Sequence, residues 1–398
     1  MTSKLPNISL PLKLTFLIFS MVLNCMGIII LQLSEAKITY DNLGLLESFK
    51  DLPIAFFSLF AVNFISRTGT KKALIFALAI VAISSFILPF VKVFWFYKLW
   101  FAIIGTCFAI GKICVFGIIR NNISDEKSLT KAMSSVEASF MIGIFVVNTV
   151  FGWLISSAYS EFWKFGFQAI SLLSIITIYL FARLEISEPE KNYSKKDILS
   201  DLSGFINPTI IIFLAVVFSI VFVEQSFNSW LPSFYKNHLK VNSFFALQAS
   251  SFLALFSYIG RTLTANIINR FPLSKYYLAC LSCIVLTLVV ILGIQFLQSE
   301  DSKALLFLFP VIGFFLSPLY PVINSKMIIQ VDKKKINLFT SLIVIFSSLG
   351  SSVSSIVISL LFENQLLRYY PLYILLIVSV LFTVSLIYFA LTKRTYEK

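Results

Sequence analysis

Twelve times along this chain an apolar run recurs that is long enough to cross a hydrocarbon layer of about 30 Å as a helix of roughly 20 residues. The runs cover residues 11–33, 43–65, 73–91, 99–119, 133–155 and 165–182 in the first half. In the second half they cover 209–230, 244–267, 276–297, 304–327, 338–362 and 371–391. Membrane-barrel strands are about 10 residues long and alternate in polarity, whereas these runs are twice that length and apolar throughout. They predict an all-α integral membrane protein with twelve transmembrane helices. Composition agrees, since 58% of the residues are hydrophobic and 13% charged, against about 25% charged in soluble domains. The second run is the least regular, because Glu47, Lys50 and Asp51 fall in its first turns.

The formal charge of +13 suggests a polyanion partner in a soluble protein, so it is tested first against membrane topology. With the amino terminus inside, and with Lys13 and Lys326 at the span ends counted as cytoplasmic, 21 of the 32 Lys and Arg fall in cytoplasmic segments and 8 in outer loops, which leaves Lys50, Lys112 and Arg261 within spans. That asymmetry satisfies the positive-inside rule, so no nucleic-acid partner is needed to explain the charge. It predicts a multi-pass protein of a bacterial cytoplasmic (inner) membrane with both termini cytoplasmic. Lys4 and Lys13 flank the first run without a small-residue cleavage site, which reads as a retained first helix. The longest polar stretch carries Glu185, Glu188, Glu190, Lys191, Lys195, Lys196, Asp197 and Asp201. It divides the chain into an amino-terminal six-helix bundle (1–183), a linker (184–208) and a carboxy-terminal six-helix bundle (209–398). An internal echo supports two related halves: Asn63, Ile65, Arg67 and Lys72 match Asn266, Ile268, Arg270 and Lys275 at an offset of 203 residues.

No phosphate loop, HExxH or Gly-x-Ser-x-Gly occurs, so the sequence supports neither an enzyme nor a cofactor or metal site. All five Cys lie within the runs, and the Cys280/Cys283 spacing sits in an apolar helix where small packing residues are expected. The 43 Phe are read as lipid-facing filler.

The turn after the second run reads Asn63-Phe64-Ile65-Ser66-Arg67-Thr68-Gly69-Thr70-Lys71-Lys72. This resembles the major facilitator superfamily signature Gly-x-x-x-Asp-Arg-x-Gly-Arg-Lys at Arg67, Gly69 and Lys71, and departs from it at Ser66 and Thr70. The seventh run ends in Glu224-Gln225-Ser226-Phe227-Asn228-Ser229-Trp230-Leu231-Pro232, and the tenth contains Gly313-x-x-x-Ser317-Pro318-Leu319-Tyr320-Pro321. Both resemble the fucose permease and sugar:proton symporter branch. The resemblance implies two pseudo-symmetric six-helix bundles, a mid-membrane cavity between them, and transport by alternating access, in a monomer. The expected function is proton-coupled import of a sugar or related small polar metabolite. The alternatives are a carrier for an anionic substrate such as a sugar acid, other carboxylate or small peptide, an efflux carrier, and a scaffold or sensor without transport. The branch leads one to expect an acid in the first run, which has none, and another deep in the fourth, where Lys112 stands.

Charged residues inside spans are functional candidates by default, since each costs about 2.5–3.5 kcal/mol at a helix centre unless paired or facing water. Lys112 and Glu137 lie at matching depths, which predicts a pair with either a structural or a substrate- and proton-binding role. Glu47 and Asp51 share a helix face with Lys50 beside them, so the three form either an outer gate or a solvated helix start. Glu224 leads the proton-coupling candidates, followed by Glu137, Glu47 and Asp51, because the seventh run offers it no cation. Lys112, Glu137, Gln225, Asn228, Trp230, Tyr320 and Asn324 are the substrate-binding candidates, with Trp230 or Tyr320 supplying an aromatic face. Lys50, Arg67, Gly69, Lys71, Arg261 and Arg270 are assigned to gating, Arg261 as a snorkelling or gate-closing cation.

Overall fold

The computed structural model describes residues 5–35, 40–91, 93–123, 125–158, 160–184, 205–267, 271–296 and 302–396. Among these the architecture is helical, and the helices fall on the twelve expected spans. The first span is Leu5–Asn24 continued by Met26–Glu35. Tyr40–Thr68, Thr70–Ile87, Phe94–Asn122, Glu126–Ser156 and Gly166–Ala182 complete the first bundle. Pro208–Asn237, Ser243–Ile267 and Leu273–Phe296 open the second. Its tenth span is broken into Ser302–Leu316 and Leu319–Ile328, and Ile336–Glu363 and Tyr370–Tyr396 close it. Arg270 and most of the charged linker lie outside the described residues.

Ten of these helices are apolar and long enough to span a bilayer by composition alone; the exceptions are the second and eighth. These two carry Glu47, Lys50 and Asp51, and Arg261, respectively, and they make the most extensive contacts between bundles: the second along the eleventh, the eighth along the fifth. Their polarity is therefore turned inward, where neighbouring side chains meet it and lipid does not. Among these ten, the third, sixth, ninth and twelfth spans are the least buried, at 28–44% against 50% or more in the other six. Rows such as Leu172, Ile175, Ile176 and Tyr179, or Leu286, Val289 and Val290, stand exposed on them and form the lipid-facing surface.

Phenylalanine departs from the filler expectation. Phe16, Phe19, Phe101, Phe116, Phe167, Phe213 and Phe227 are fully buried, many in edge-to-face contacts such as Trp100 on Phe167 at 5.4 Å. Without a hydrophobic driving force between helices in lipid, packing has to hold the bundle, and flat rings fill interhelical space in preferred geometries. The turn between the second and third spans depends on Gly69, whose φ of 83° only a residue without Cβ adopts freely.

Candidate functional site

The site is built around two prolines in the tenth span. Pro318 and Pro321 have no N–H, so the carbonyls four residues earlier, Phe314 and Ser317, lose their helical donors. The eighth span packs against both. At Gly260 a Cβ would collide with the Phe314 carbonyl oxygen, and a Cβ on Gly313 would sit 2.6 Å from the Leu253 oxygen, so the two glycines set the helices at backbone distance. Ser257 Oγ donates to Gly313 O at 3.2 Å and Ser317 Oγ to Ser257 O at 2.8 Å. This contact presents the next side chain, Arg261, whose Nε donates to the freed Ser317 carbonyl at 3.0 Å.

Arg261 is 1% exposed and joins the two bundles. One terminal nitrogen donates to the Glu137 backbone oxygen at 2.7 Å and to its carboxylate at 3.1 Å, and the other reaches Glu224 Oε1 at 3.0 Å. The expected Lys112–Glu137 pair is therefore replaced by an Arg261–Glu137 pair, and Glu224 has a cation after all, supplied by the eighth span. Matching depth is not enough for a pair: the guanidinium arrives with a fork of fixed donors that satisfies two carboxylates and a carbonyl together. A residue this buried does not snorkel. Two carboxylates still share one guanidinium, and Glu137 Oε1 is buried with no hydrogen-bond partner in the structure.

A second charged cluster lies one level away, toward the face opposite the two termini. Lys50 Nζ is 3.6 Å from Asp51 and 3.9 Å from Glu47. Glu47 Oε1 accepts from Gln225 Nε2 at 2.6 Å and from the Ser229 hydroxyl, both on the seventh span. Asp51 Oδ2 accepts from Ser351 Oγ at 2.6 Å, and Ser352 donates to Ser48, so the second span is stitched to the seventh and eleventh. All three charges are buried, so the solvated helix start is not what forms. Gly105 of the fourth span makes room for this segment, its missing Cβ facing the Lys50 carbonyl.

Between the two clusters is a cavity of about 100 Å³ bordered by both bundles. Lys112 lines it with its Nζ 4.5 Å from the centre of the Tyr320 ring, and 5.5 and 5.7 Å from those of Phe108 and Phe116. Among the described residues no carboxylate lies within 4.0 Å of Lys112. Asn24, Gln225, Asn228 and a serine face of the eleventh span, Ser347, Ser348 and Ser351, add polar lining. Those serines were not singled out from sequence, although their run, Ser347-Ser348-Leu349-Gly350-Ser351-Ser352, is visible there. Trp230 does not border the cavity: it is fully buried against Phe362 at 5.3 Å. Asn324 is also fully buried, one turn beyond Tyr320, with neither amide atom partnered.

The bundles meet again on the side of the termini. Arg120, at the end of the fourth span, donates to the carbonyls of Ile328, Ile329 and Val331 at 3.2–3.4 Å, at and just beyond the carboxyl end of the tenth span, where the helix dipole favours a cation. Thr130 Oγ1 and Ser325 Oγ are 2.5 Å apart across the same interface. Sequence reasoning passed over Arg120, since a lone cation at a span end looks like topology. The signature turn acts within one bundle: Lys71 Nζ donates to Ala182 O at 3.0 Å and Leu184 O at 2.7 Å, capping the sixth span, while Arg67 is exposed.

The sequence profile described as Major Facilitator Superfamily matches residues 14–355, and the chain belongs to that family. It is accordingly a multi-pass membrane transport protein. Among solved structures it is similar to the family's transporter FucP in the outward conformation, with a TM-score of 0.72, 13% identity, and coverage of 96% of this chain and 98% of that one. A structure of the E. coli fucose:proton symporter FucP gives the same TM-score and coverage at 14% identity. At these identities the likeness establishes the fold. No curated protein matches the sequence.

Proposed function

We propose that the protein is a secondary active transporter that moves a small polar metabolite into the cell together with H⁺, by alternating exposure of the cavity between its bundles. The observation that carries this reading is Arg261, which ties Glu137 of one bundle to Glu224 of the other beside the cavity. Adding a proton to either carboxylate weakens the tie, and a substrate arriving in the same space competes for the same groups. Proton and substrate binding are thereby coupled to a contact that has to break when the bundles rock apart. Glu137 and Glu224 are the primary proton carriers in this scheme. Glu47, Lys50 and Asp51 form the outer gate, and Arg120 the cytoplasmic one. The halves are taken as residues 1–183 and 209–398, with 184–208 as a cytoplasmic linker, in a monomer of the cytoplasmic membrane. Likeness to the fucose:proton symporter fold supports a sugar-sized polar substrate.

Purified protein in liposomes tests this reading. Uptake of a labelled substrate above equilibrium under an inward proton gradient, abolished by a protonophore, is the expected result. Flux driven only outward would identify an efflux carrier. Absence of flux across sugars, acids and peptides would leave a protein that does not transport them.

A further inference from the structure

Lys112 stands apart from the rest of the buried charge. Around the cavity are three cations and four carboxylates: Lys50, Lys112 and Arg261, with Glu47, Asp51, Glu137 and Glu224. Lys50 is shared between Glu47 and Asp51, and Arg261 between Glu137 and Glu224. Lys112 is 8% exposed, and Tyr320, Phe108 and Phe116 surround its ammonium with ring faces. The Tyr320 hydroxyl is a hydrogen-bond partner of Lys112, and Glu137 and Glu224 act on it at longer range. No carboxylate among the described residues lies within 4.0 Å to pair with it, and the rings attract the cation without accepting its N–H donors. A buried ammonium with no acid in direct contact is costly unless something else takes that place. The Tyr320 hydroxyl sits 3.3 Å from Ser347 Oγ, so the platform beneath Lys112 is itself fixed to the eleventh span.

We propose that this place belongs to the substrate, and that the cavity takes a compact carboxylate whose anionic end is held by Lys112. The proposal rests on the transporter reading above and narrows it from polar metabolites to acids. The single charge of Lys112 matches one carboxylate, whereas a dianion such as phosphate would meet the surplus negative charge on the two neighbouring clusters. Glu137 Oε1, buried beside the same cavity without a partner, is the complementary acceptor for a hydroxyl or amine on the substrate. Asn24, Asn228, Ser347 and Ser348 line the space for the rest of a small hydroxylated body, with the Asn24 carbonyl and the serine oxygens left as acceptors. The substrate's carboxylate sits on Lys112 and the proton on Glu137 or Glu224, so substrate charge and proton charge occupy different residues of one cavity.

The test uses detergent-purified full-length protein and compounds that differ in a carboxylate: glucose with glucuronate, galactose with galacturonate, and propane-1,2-diol with lactate. Thermal unfolding is followed with each, because a ligand that binds only the folded state raises the transition. At least one acid should stabilise the wild type while its neutral partner does not. Lys112→Gln should weaken that acid by about 30-fold or more, the effect of removing one side of a desolvated charge pair. Lys112→Arg, which keeps the charge, should retain part of the binding and shows that the position tolerates change. Stabilisation by a neutral sugar as strong as by its acid, an acid shift that survives Lys112→Gln, or no shift from any acid would each overturn the proposal. Uptake by the same protein in liposomes separates the two readings. Transport of a neutral sugar refutes the carboxylate and keeps the transporter, while an acid that binds through Lys112 without being carried does the reverse.

Discussion

At the scale of single residues, the strongest consequence attaches to Arg261. Arg261→Gln takes from Glu137 and Glu224 the cation they share, and breaking a buried pair from one side typically costs about 3–5 kcal/mol. A triple change, Arg261→Gln with Glu137→Gln and Glu224→Gln, removes every charge together and should recover most of that loss. Thermal unfolding in detergent distinguishes the cases, and a triple variant no more stable than the single one would show that the charges are not what holds this contact. His238 offers an independent check on the geometry at the far end of the seventh span. It caps that helix and stacks on Phe234 at 5.1 Å, and burial, then Arg368 and Lys240, hold its imidazole pKa below the ordinary value of about 6.5. The sign follows: this end of the protein is at full stability above about pH 6.5 and loses stability as acid forces a proton onto the ring. The chain contains one His, so its NMR signal is unambiguous. The midpoint should lie below 6.5 and rise in Arg368→Ala; a midpoint at or above 6.5 in the wild type would refute the placement.

At the scale of elements, prolines explain where helices exchange hydrogen bonds. Pro321 frees Ser317 O for Arg261, and Pro232 frees Asn228 O, which accepts from Ser250 Oγ at 3.3 Å. In each case a carbonyl that lipid could not satisfy is taken by a donor on the eighth span. Gly260→Ala should therefore be disruptive out of proportion to one methyl group, because its Cβ meets backbone and not a movable side chain. A loss of about 1–3 kcal/mol is expected from such overpacking. Gly293→Ala, where a Cβ has open space around it, is the control and should be neutral or slightly stabilising. Equal effects of the two would refute the close approach of the eighth and tenth spans. The same elements mark what was legible beforehand. Span number and class could be read from run length, because the bilayer imposes a length and forbids unsatisfied backbone. The Gly313, Ser317, Pro318 and Pro321 pattern was visible as a motif, but its purpose was not, since freeing a carbonyl matters only once Arg261 is known to face it. Pairing failed for a related reason. Depth along a helix is set by residue number, whereas the direction of Lys112 toward Tyr320, and of Glu137 toward Arg261, depends on how helices are rotated against one another.

For the whole molecule, the bundles touch above and below the cavity, so opening either side means breaking a named set of contacts. Toward the termini the set is Arg120 on the carbonyls of Ile328, Ile329 and Val331, with Thr130 against Ser325. On the opposite face it is Glu47 with Gln225 and Ser229, and Asp51 with Ser351. Hydrogen bonds to a charged group contribute about 1.5–3 kcal/mol each, so losing even one of Arg120's three shifts the closed-to-open ratio by roughly tenfold or more. A cross-link reads this directly. The Thr130 and Ser325 oxygens are close enough that paired sulfurs can meet there without rearrangement of the helices. With Thr130→Cys and Ser325→Cys on a background lacking the five native cysteines, mild oxidation should join the bundles quickly and halt transport. Adding Arg120→Gln should slow cross-linking by about tenfold or more as the closed population falls. Adding Asp51→Asn on the other face should leave it unchanged or make it faster, because weakening the closure there favours the state sealed on the side of the termini. Equal slowing by both would mean that the two contacts stabilise the fold in general and do not oppose each other as gates.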